Sequence, residues 1–326
     1  MIIDKYDRVH DYLRISLTDN CNLRCFYCMP DEEYDFSPPS CLMQPGEIIS
    51  LASLFVAEGV KKIRLTGGEP FVRKDAAKII LGLSKLPVEL SITTNGTRLH
   101  DFVDVLTAAG IKSINVSLDT LDADKFMLIT RRDLFVKVRE NIELLLSCGI
   151  EVKVNVVVMK DLNDMEINSF IRWTKNQPLH IRFIEFMPFS GNRWTSNKVV
   201  SSAEILDAAA REFDFIPLPG SVHDTARKYG IPGHQGDFAI ISTMTAPFCG
   251  GCNRMRLTAD GKLKNCLFSS AETDLLGPLR AGEAILPLIH QNIKSKAKEL
   301  GGQFTTAIQQ IEALNIENRS MITIGG

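Results

Sequence analysis

Leu13-Arg14-Ile15-Ser16-Leu17-Thr18 runs through Asp19 and Asn20 into Cys21-Asn22-Leu23-Arg24-Cys25-Phe26-Tyr27-Cys28. The first six residues alternate apolar and polar, the two-residue period of a strand with one buried face. That strand delivers the chain into a loop with three thiols spaced C-x3-C-x2-C. Thiolates this close can hold a metal centre, and the flanking Asn, Arg and Tyr make them poor core material. A cubane iron–sulfur cluster that only carries electrons takes four protein ligands. Three ligands leave one iron open, and an open position separates a metal that binds something from one that only braces a fold. A zinc site, or three buried thiols with no ligand role, is the alternative.

Outward from this loop the strand-then-loop arrangement recurs. Residues 60–66 read as a strand that stops at Gly67-Gly68-Glu69-Pro70, and 89–94 as one that stops at Asn95-Gly96. Residues 111–118 form another, with Asp119 at its end. Two more, 151–159 and 180–186, follow, the last running into Met187-Pro188. Helical periodicity fills the intervals at 45–58, closed by Gly59, and at about 73–85, 99–109, 133–148 and 164–175. Six strands alternating with helices imply a parallel sheet with right-handed crossovers. A doubly wound sheet and a barrel-like sheet share this pattern. In both, ligands bind just past the strand ends. Eight units are not in sight, which disfavours a complete barrel.

After residue 188 the chain changes character: a loop-rich stretch to 237 holds one helix at about 202–212. Strand, Cys loop and a hairpin turned at Ala259-Asp260-Gly261 come next, then helices at about 280–299 and 303–312 and a Gly325-Gly326 end. A division into 1–215 and 216–326 is expected.

The chain has 326 residues and a formal net charge of -2, which opposes a general nucleic-acid binder. Residues 1–7 hold no apolar signal core, and no stretch approaches the ~18 apolar residues of a membrane span. A cytoplasmic protein, with neither membrane nor nucleic acid as partner, is the expectation. Six of the eight Cys fall in two tight groups. The second is Cys249-x2-Cys252-x13-Cys266, with no fourth Cys after it; the nearest His, His234, lies fifteen residues upstream. A Cys3His zinc site is the alternative to a second cluster there. Cys148 ends a helical pattern and is expected in the core; Cys41, in a Pro/Ser-rich loop, has no assigned role.

Arg14, Arg64 and Lys153 sit on strands whose other residues are mostly apolar. A cation on a barrel's inner face is costly unless it meets an anion, so an anionic ligand is expected there. Lys112 and Lys160 read as outward and solvated. No P-loop or GxGxxG stretch is present, so phosphate binding depends on scattered cations.

With Tyr27 before its last Cys and Gly67-Gly68-Glu69-Pro70 on the next strand end, the first motif resembles the radical S-adenosylmethionine (SAM) superfamily. Phe248-Cys249-Gly250-Gly251-Cys252-Asn253-Arg254-Met255-Arg256, Cys266 and the Gly325-Gly326 tail narrow the resemblance to the GTP 3′,8-cyclase family of molybdenum-cofactor synthesis. The resemblance implies a partial (βα)6 barrel, its open side covered by a C-terminal α+β extension. It implies two [4Fe–4S] clusters: one on Cys21, Cys25 and Cys28 whose open iron takes SAM, the other on Cys249, Cys252 and Cys266 whose open iron takes the guanine of GTP. Tyr27, Gly68, Ser117 and Met187 are the implied SAM contacts, with Glu69 answering the SAM ammonium. Arg14, Arg64, Thr93, Lys153, Arg254, Met255 and Arg256 are the implied GTP contacts. The implied reaction is hydrogen abstraction from C3′ of GTP by a 5′-deoxyadenosyl radical, then C3′–C8 bond formation. No acid–base pair is assigned. An electron donor such as flavodoxin or ferredoxin and a following enzyme, cyclic pyranopterin monophosphate synthase, are implied as partners, and a homodimer is left open. Two rivals stand beside this reading. A peptide-modifying radical SAM enzyme typically carries more C-terminal Cys. A non-enzymatic metal-containing nucleic-acid binder or electron carrier is opposed by the charge and the six βα units.

Overall fold

The computed structural model describes residues 1–30, 34–304, 311 and 316–325. Six βα units come first: β1 (Tyr12–Ser16), α1 (Pro45–Ala57), β2 (Lys62–Thr66), α2 (Ala76–Leu83), β3 (Glu89–Thr94), α3 (Val103–Ala108) and β4 (Ser113–Ser117). Then follow α4 (Ala123–Thr130), α5 (Phe135–Ser147), β5 (Glu151–Val158), α6 (Ile167–Trp173), β6 (Leu179–Glu185) and α7 (Ser202–Ala210). The later elements are β7 (Ile216–Pro217), β8 (Arg227–Gly230), β9 (Asp237–Ile241), β10 (Arg254–Leu257), β11 (Lys262–Lys264), β12 (Thr273–Asp274), α8 (Leu276–Ala281), α9 (Leu286–Lys294) and α10 (Met321–Ile324).

Local chemistry explains several boundaries. Pro45 opens α1, and Glu47 reaches back to the Gln44 amide at 2.7 Å in a capping box. Gly59 takes φ +104° beyond its end. α4 was not expected. Its start is set by Asp122, whose carboxylate accepts from the Lys125 amide at 2.8 Å, and Phe126 and Ile129 give it a buried face too short to stand out. The helix expected at 280–299 is two, broken where Gly282 turns left-handed at φ +74°. The helix expected at 303–312 lies mostly outside the described residues.

All strands join one open sheet in the order β12-β11-β10-β1-β2-β3-β4-β5-β6-β9-β8-β7. β1 to β6 run parallel in sequence order, which is the partial barrel. The C-terminal region adds a parallel strand at each edge, β10 beside β1 and β9 beside β6, and then antiparallel ribbons. Residues 216–237, expected as loop, thus contain a short edge ribbon.

Strand alternation sorts the two faces. Leu13, Ile15, Ile63, Leu65, Val152, Val154, Ile181 and Phe183 are buried against the helix layer, where the main core lies. The opposite face holds Arg14, Arg64, Asn115, Asn155 and Arg182. A barrel interior normally fills with branched aliphatic side chains. This one sets those polar and charged side chains among apolar ones and encloses a cavity of about 310 Å³. Among the described residues no helix is long and apolar enough to cross a membrane.

Candidate active site

Both Cys triads line that one cavity. The first follows the C-terminal end of β1. Cys249 and Cys252 precede β10, which pairs in parallel with β1 from Tyr12↔Arg254 to Ile15↔Leu257. The triads therefore sit toward opposite ends of this strand pair, which spans about 10 Å at 3.3 Å per residue.

The first loop is fixed by backbone. The Gly68 amide donates to Thr18 O at 2.7 Å and the Glu69 amide to Asn20 O at 2.8 Å. A Cβ on Gly68 would collide with the carbonyls of Asp19 and Asn20, so glycine is needed there for the approach of one loop to another. Glu69 corrects an expectation. Its side chain is fully buried and accepts from Thr94 Oγ1 (2.7 Å), the Phe71 amide (3.1 Å) and the Asn95 amide (2.6 Å). It does not line the cavity and ties the loop after β2 to the end of β3. Burial pushes its carboxyl up to about 7 against those hydrogen bonds.

Tyr27, Gly68, Ser117 and Met187 all face the cavity, as expected of SAM contacts. Tyr27 Oη donates to Asp119 Oδ2 at 2.6 Å, and Asp119 Oδ1 accepts from the Val157 amide at 2.8 Å. Burial raises Asp119 to about 6. Asn95 Nδ2 donates to Cys21 Sγ at 3.7 Å. Burial, then Glu69, raises Cys21 to about 11; burial raises Cys28 to about 12 and raises Cys25 as well. Thiols so placed ionise when a metal takes the proton's place.

Arg14, Arg64, Thr93, Arg254 and Arg256 line the cavity as expected, and Arg182 joins them. The lining thus carries five guanidinium groups, on Arg14, Arg64, Arg182, Arg254 and Arg256, and one carboxylate, on Asp119. Burial, together with the neighbouring cations, lowers Arg14 to about 10 and lowers Arg64, Arg182 and Arg256. The Asn115 amide, oriented to accept, bridges Arg64 Nη1 (2.9 Å) and Arg182 Nη1 (3.3 Å). Among the described residues, Arg14 Nε and Asn155 Oδ1 are buried without a hydrogen-bond partner. Five guanidinium groups against one carboxylate give the lining an excess of positive charge, which suits an anionic ligand.

Two expected contacts fall elsewhere. Lys153 bonds Ser113 Oγ at 2.7 Å and Glu151 at 2.8 Å near the strands' N-terminal ends and does not line the cavity. Met255 alternates out of phase with Arg254 and Arg256, so its side chain is buried in the helix-side core. Arg182, Asp119 and Asn95 were missed; Asp119 and Asn95 lie just after strand ends, where a polar residue faces inward, and Arg182 lies in the middle of β6.

At the second triad, Cys249 Sγ accepts from the Leu300 amide and Cys252 Sγ from Lys296 Nζ, both at 3.4 Å. Burial raises Cys249; for Cys252, Lys296 and Arg254 outweigh burial and lower it to about 6. His234 bonds Thr174 at 2.8 Å and His223 the Gly251 carbonyl at 3.0 Å. Among the described residues no three His, Cys, Asp or Glu side chains converge to hold one metal ion. A cluster spreads its ligands over different irons, so each thiol triad fits a cluster better than a single ion. Cys148 caps α5 and is exposed rather than in the core, as is Cys41.

The tail enters this space. Ser16 Oγ donates to Ile324 O at 3.0 Å and Arg256 Nη1 donates to Gly325 O. Gly325 has φ +84°, and a Cβ there would collide with Ser16 Oγ and Thr66 Oγ1. Arg319 anchors the approach on Asp260 (2.8 Å) and Glu272 (2.6 Å). Gly326 lies outside the described residues.

Comparison with known proteins accords with this arrangement. The Radical SAM superfamily profile matches residues 15–174, and the profile for Molybdenum Cofactor Synthesis C matches 179–301. The GTP 3′,8-cyclase of Peptoclostridium acidaminophilum is 40% identical over all of this chain and 98% of its own. The chain belongs to the GTP 3′,8-cyclase family. A second cyclase, mitochondrial, from Arabidopsis thaliana, is 46% identical over all of this chain and 84% of its own length. Human molybdenum cofactor biosynthesis protein 1 is 43% identical, and the chain spans 51% of it, about half of that longer relative. A Streptococcus suis SuiB structure with bound S-adenosylmethionine superposes at a TM-score of 0.59, covering 88% of this chain and 68% of that one at 15% identity, a likeness of fold. As a radical SAM protein, this cyclase-family member uses SAM and an iron–sulfur cluster.

Proposed function

We propose that this chain converts GTP to 3′,8-cyclo-7,8-dihydro-GTP, the first step of molybdenum-cofactor synthesis, with a [4Fe–4S] cluster on each Cys triad. The observation that carries the reading is one arginine-lined cavity with a three-thiol set toward either end. Bound there, the first cluster and SAM supply a 5′-deoxyadenosyl radical, and the second cluster supplies an open iron for guanine. The protein's part is placement. Arg14, Arg64, Arg182, Arg254 and Arg256 bind the triphosphate, for which a planar, always-charged fork suits better than a lysine. Tyr27, Gly68, Ser117 and Met187 orient SAM, with Asp119 fixing the Tyr27 hydroxyl. The tail closes the space between β1 and β2 and excludes water. Fixing C3′ of the substrate beside the reactive carbon is where most of the rate gain lies.

A small flavoprotein or ferredoxin as electron donor, and cyclic pyranopterin monophosphate synthase as the next enzyme, belong to the same proposal. Anaerobic incubation with SAM, GTP and dithionite is expected to give 5′-deoxyadenosine and a GTP isomer of unchanged mass. Iron analysis is expected to give about eight irons per chain, as two four-iron clusters require. Four irons and one zinc would refute the two-cluster part; SAM cleavage with no GTP isomer would refute the substrate.

A further inference from the structure

The second triad has a buried cation behind it that substrate binding does not use. Lys296, just past α9, is 2% exposed and does not line the cavity. Its ammonium donates to Cys252 Sγ at 3.4 Å and to Arg254 O at 3.0 Å. The segment around it is held from the far end of the chain. Arg8 donates to Ala297 O (3.0 Å), Lys298 O (2.8 Å) and Cys249 O (2.8 Å), and is itself bound to Asp4 at 2.6 Å. A buried ammonium needs an anion, and a thiolate cluster ligand at hydrogen-bond distance is one.

The first triad stands in the opposite field. The buried charged side chains beside it are carboxylates, Glu69 and Asp119; its Cys21 accepts from the neutral Asn95 amide at 3.7 Å and from the Leu23 backbone, and the partly exposed Arg24 makes no hydrogen bond to a thiol of this triad among the described residues. A cluster becomes more negative when it takes an electron. A fixed cation therefore favours its reduced form and fixed carboxylates oppose it; net charge and hydrogen bonds to sulfur are recognised determinants of cluster potential.

We propose that Lys296 is a positioning residue that raises the reduction potential of the cluster on Cys249, Cys252 and Cys266, so that this chain holds its two clusters at separate potentials, the first one lower. This rests on the two-cluster reading above. Lys296 acts through Cys252 and touches no substrate atom. The low potential of the first centre suits reductive cleavage of SAM, and the higher one lets the second stay reduced beside it.

The test is a dithionite titration of the full-length, iron-loaded chain followed by electron paramagnetic resonance. Replacing Cys21, Cys25 and Cys28 by Ala removes the first cluster's signal and isolates the second. In that background Lys296→Met is expected to lower the reduction equilibrium constant at least tenfold, ~59 mV for a one-electron couple. Lys296→Arg, which keeps the charge, is expected to recover most of it. An unchanged potential in Lys296→Met overturns the proposal. If Lys296→Met does not load the cluster, restored loading in Lys296→Arg supports a role for the charge, and failure in both overturns it in favour of shape alone. Iron content of the unsubstituted chain separates the two levels: four irons there means the two-cluster reading has failed and this inference with it, whereas eight irons with an insensitive potential means that only this inference has failed.

Discussion

Gly325→Ala is the sharpest probe of the tail. The backbone at Gly325 holds φ +84° and ψ 119°, a region closed to side-chain-bearing residues. The added Cβ would meet Ser16 Oγ and Thr66 Oγ1 on β1 and β2. Strain of this kind is worth about 1–3 kcal/mol. Keeping the tail in place also preserves the hydrogen bond from Arg256 to Gly325 O, so leaving forfeits a charge-assisted contact of about 1.5–3 kcal/mol. Both attach to one movement and are not summed. A shift of 1–3 kcal/mol changes occupancy about 5- to 150-fold. The variant is expected to lose GTP cyclisation by about that factor while retaining both clusters and cleaving SAM without productive turnover. The assay compares 5′-deoxyadenosine with cyclised nucleotide in one anaerobic reaction, alongside iron content and melting temperature. Wild-type coupling of the two products would refute the reasoning.

Arg182→Ala removes one of five clustered guanidinium groups. It is expected to weaken GTP binding about 10- to 150-fold, the worth of one charge-assisted phosphate bond, while raising the melting temperature of the ligand-free chain because like charges are relieved; equilibrium binding and calorimetry read the two effects, and unchanged affinity counts against the phosphate role. Asp119 has its carboxyl raised from 3.8 to about 6, so its ionisation opposes folding. For an acid raised in the folded state, stability is intact below about pH 4, is lost as pH rises through about 6, and is constant above, a loss of about 3 kcal/mol. Asp119→Asn, which can still accept from Val157, is expected to flatten that interval in urea midpoints of the metal-free chain; an identical pH slope would remove Asp119 as its source. Arg319→Gln loosens the tail's anchor on Asp260 and Glu272, and its partial exposure limits the loss to about two- to fivefold in cyclisation; undiminished coupling in this variant means that the tail holds without it.

The six site thiols were legible because their spacing is local: each pair lies on one turn or one loop, with Cys266 returned to the others by a hairpin. The six parallel strands were legible for a similar reason, since period-two alternation and glycine-closed helices are written within a dozen residues. Glu69 was misread because its partners, Thr94 and Asn95, stand on the next strand, and nothing near Glu69 announces them. Met255 was carried along with its neighbours, although alternation on β10 puts it on the other face. Arg182 escaped notice because its inward direction is known only once β6 is registered against β5. Lys296 and Arg8 meet the second triad from far along the chain, and no local pattern encodes such a meeting. The parallel addition of β9 and β10 to the barrel edges was hidden likewise, because neighbouring strands, rather than β9 and β10 themselves, decide where they dock.

That last addition bears on how the chain is made. β1 carries the first Cys loop, yet its second neighbour, β10, begins only at Arg254. At 5–20 residues per second, about 10–40 s of synthesis separate β2 from β10. Through that interval β1 is a bare edge, open to pairing with another chain and exposing its three-thiol loop. Long-range parallel pairing is also slow to form once the partner exists. On the cluster assignment proposed above, delivery of iron to Cys21, Cys25 and Cys28 has a natural window before the C-terminal strands dock. A nascent chain halted before β10 combines an adhesive strand with reactive thiols, the pairing most in need of a chaperone.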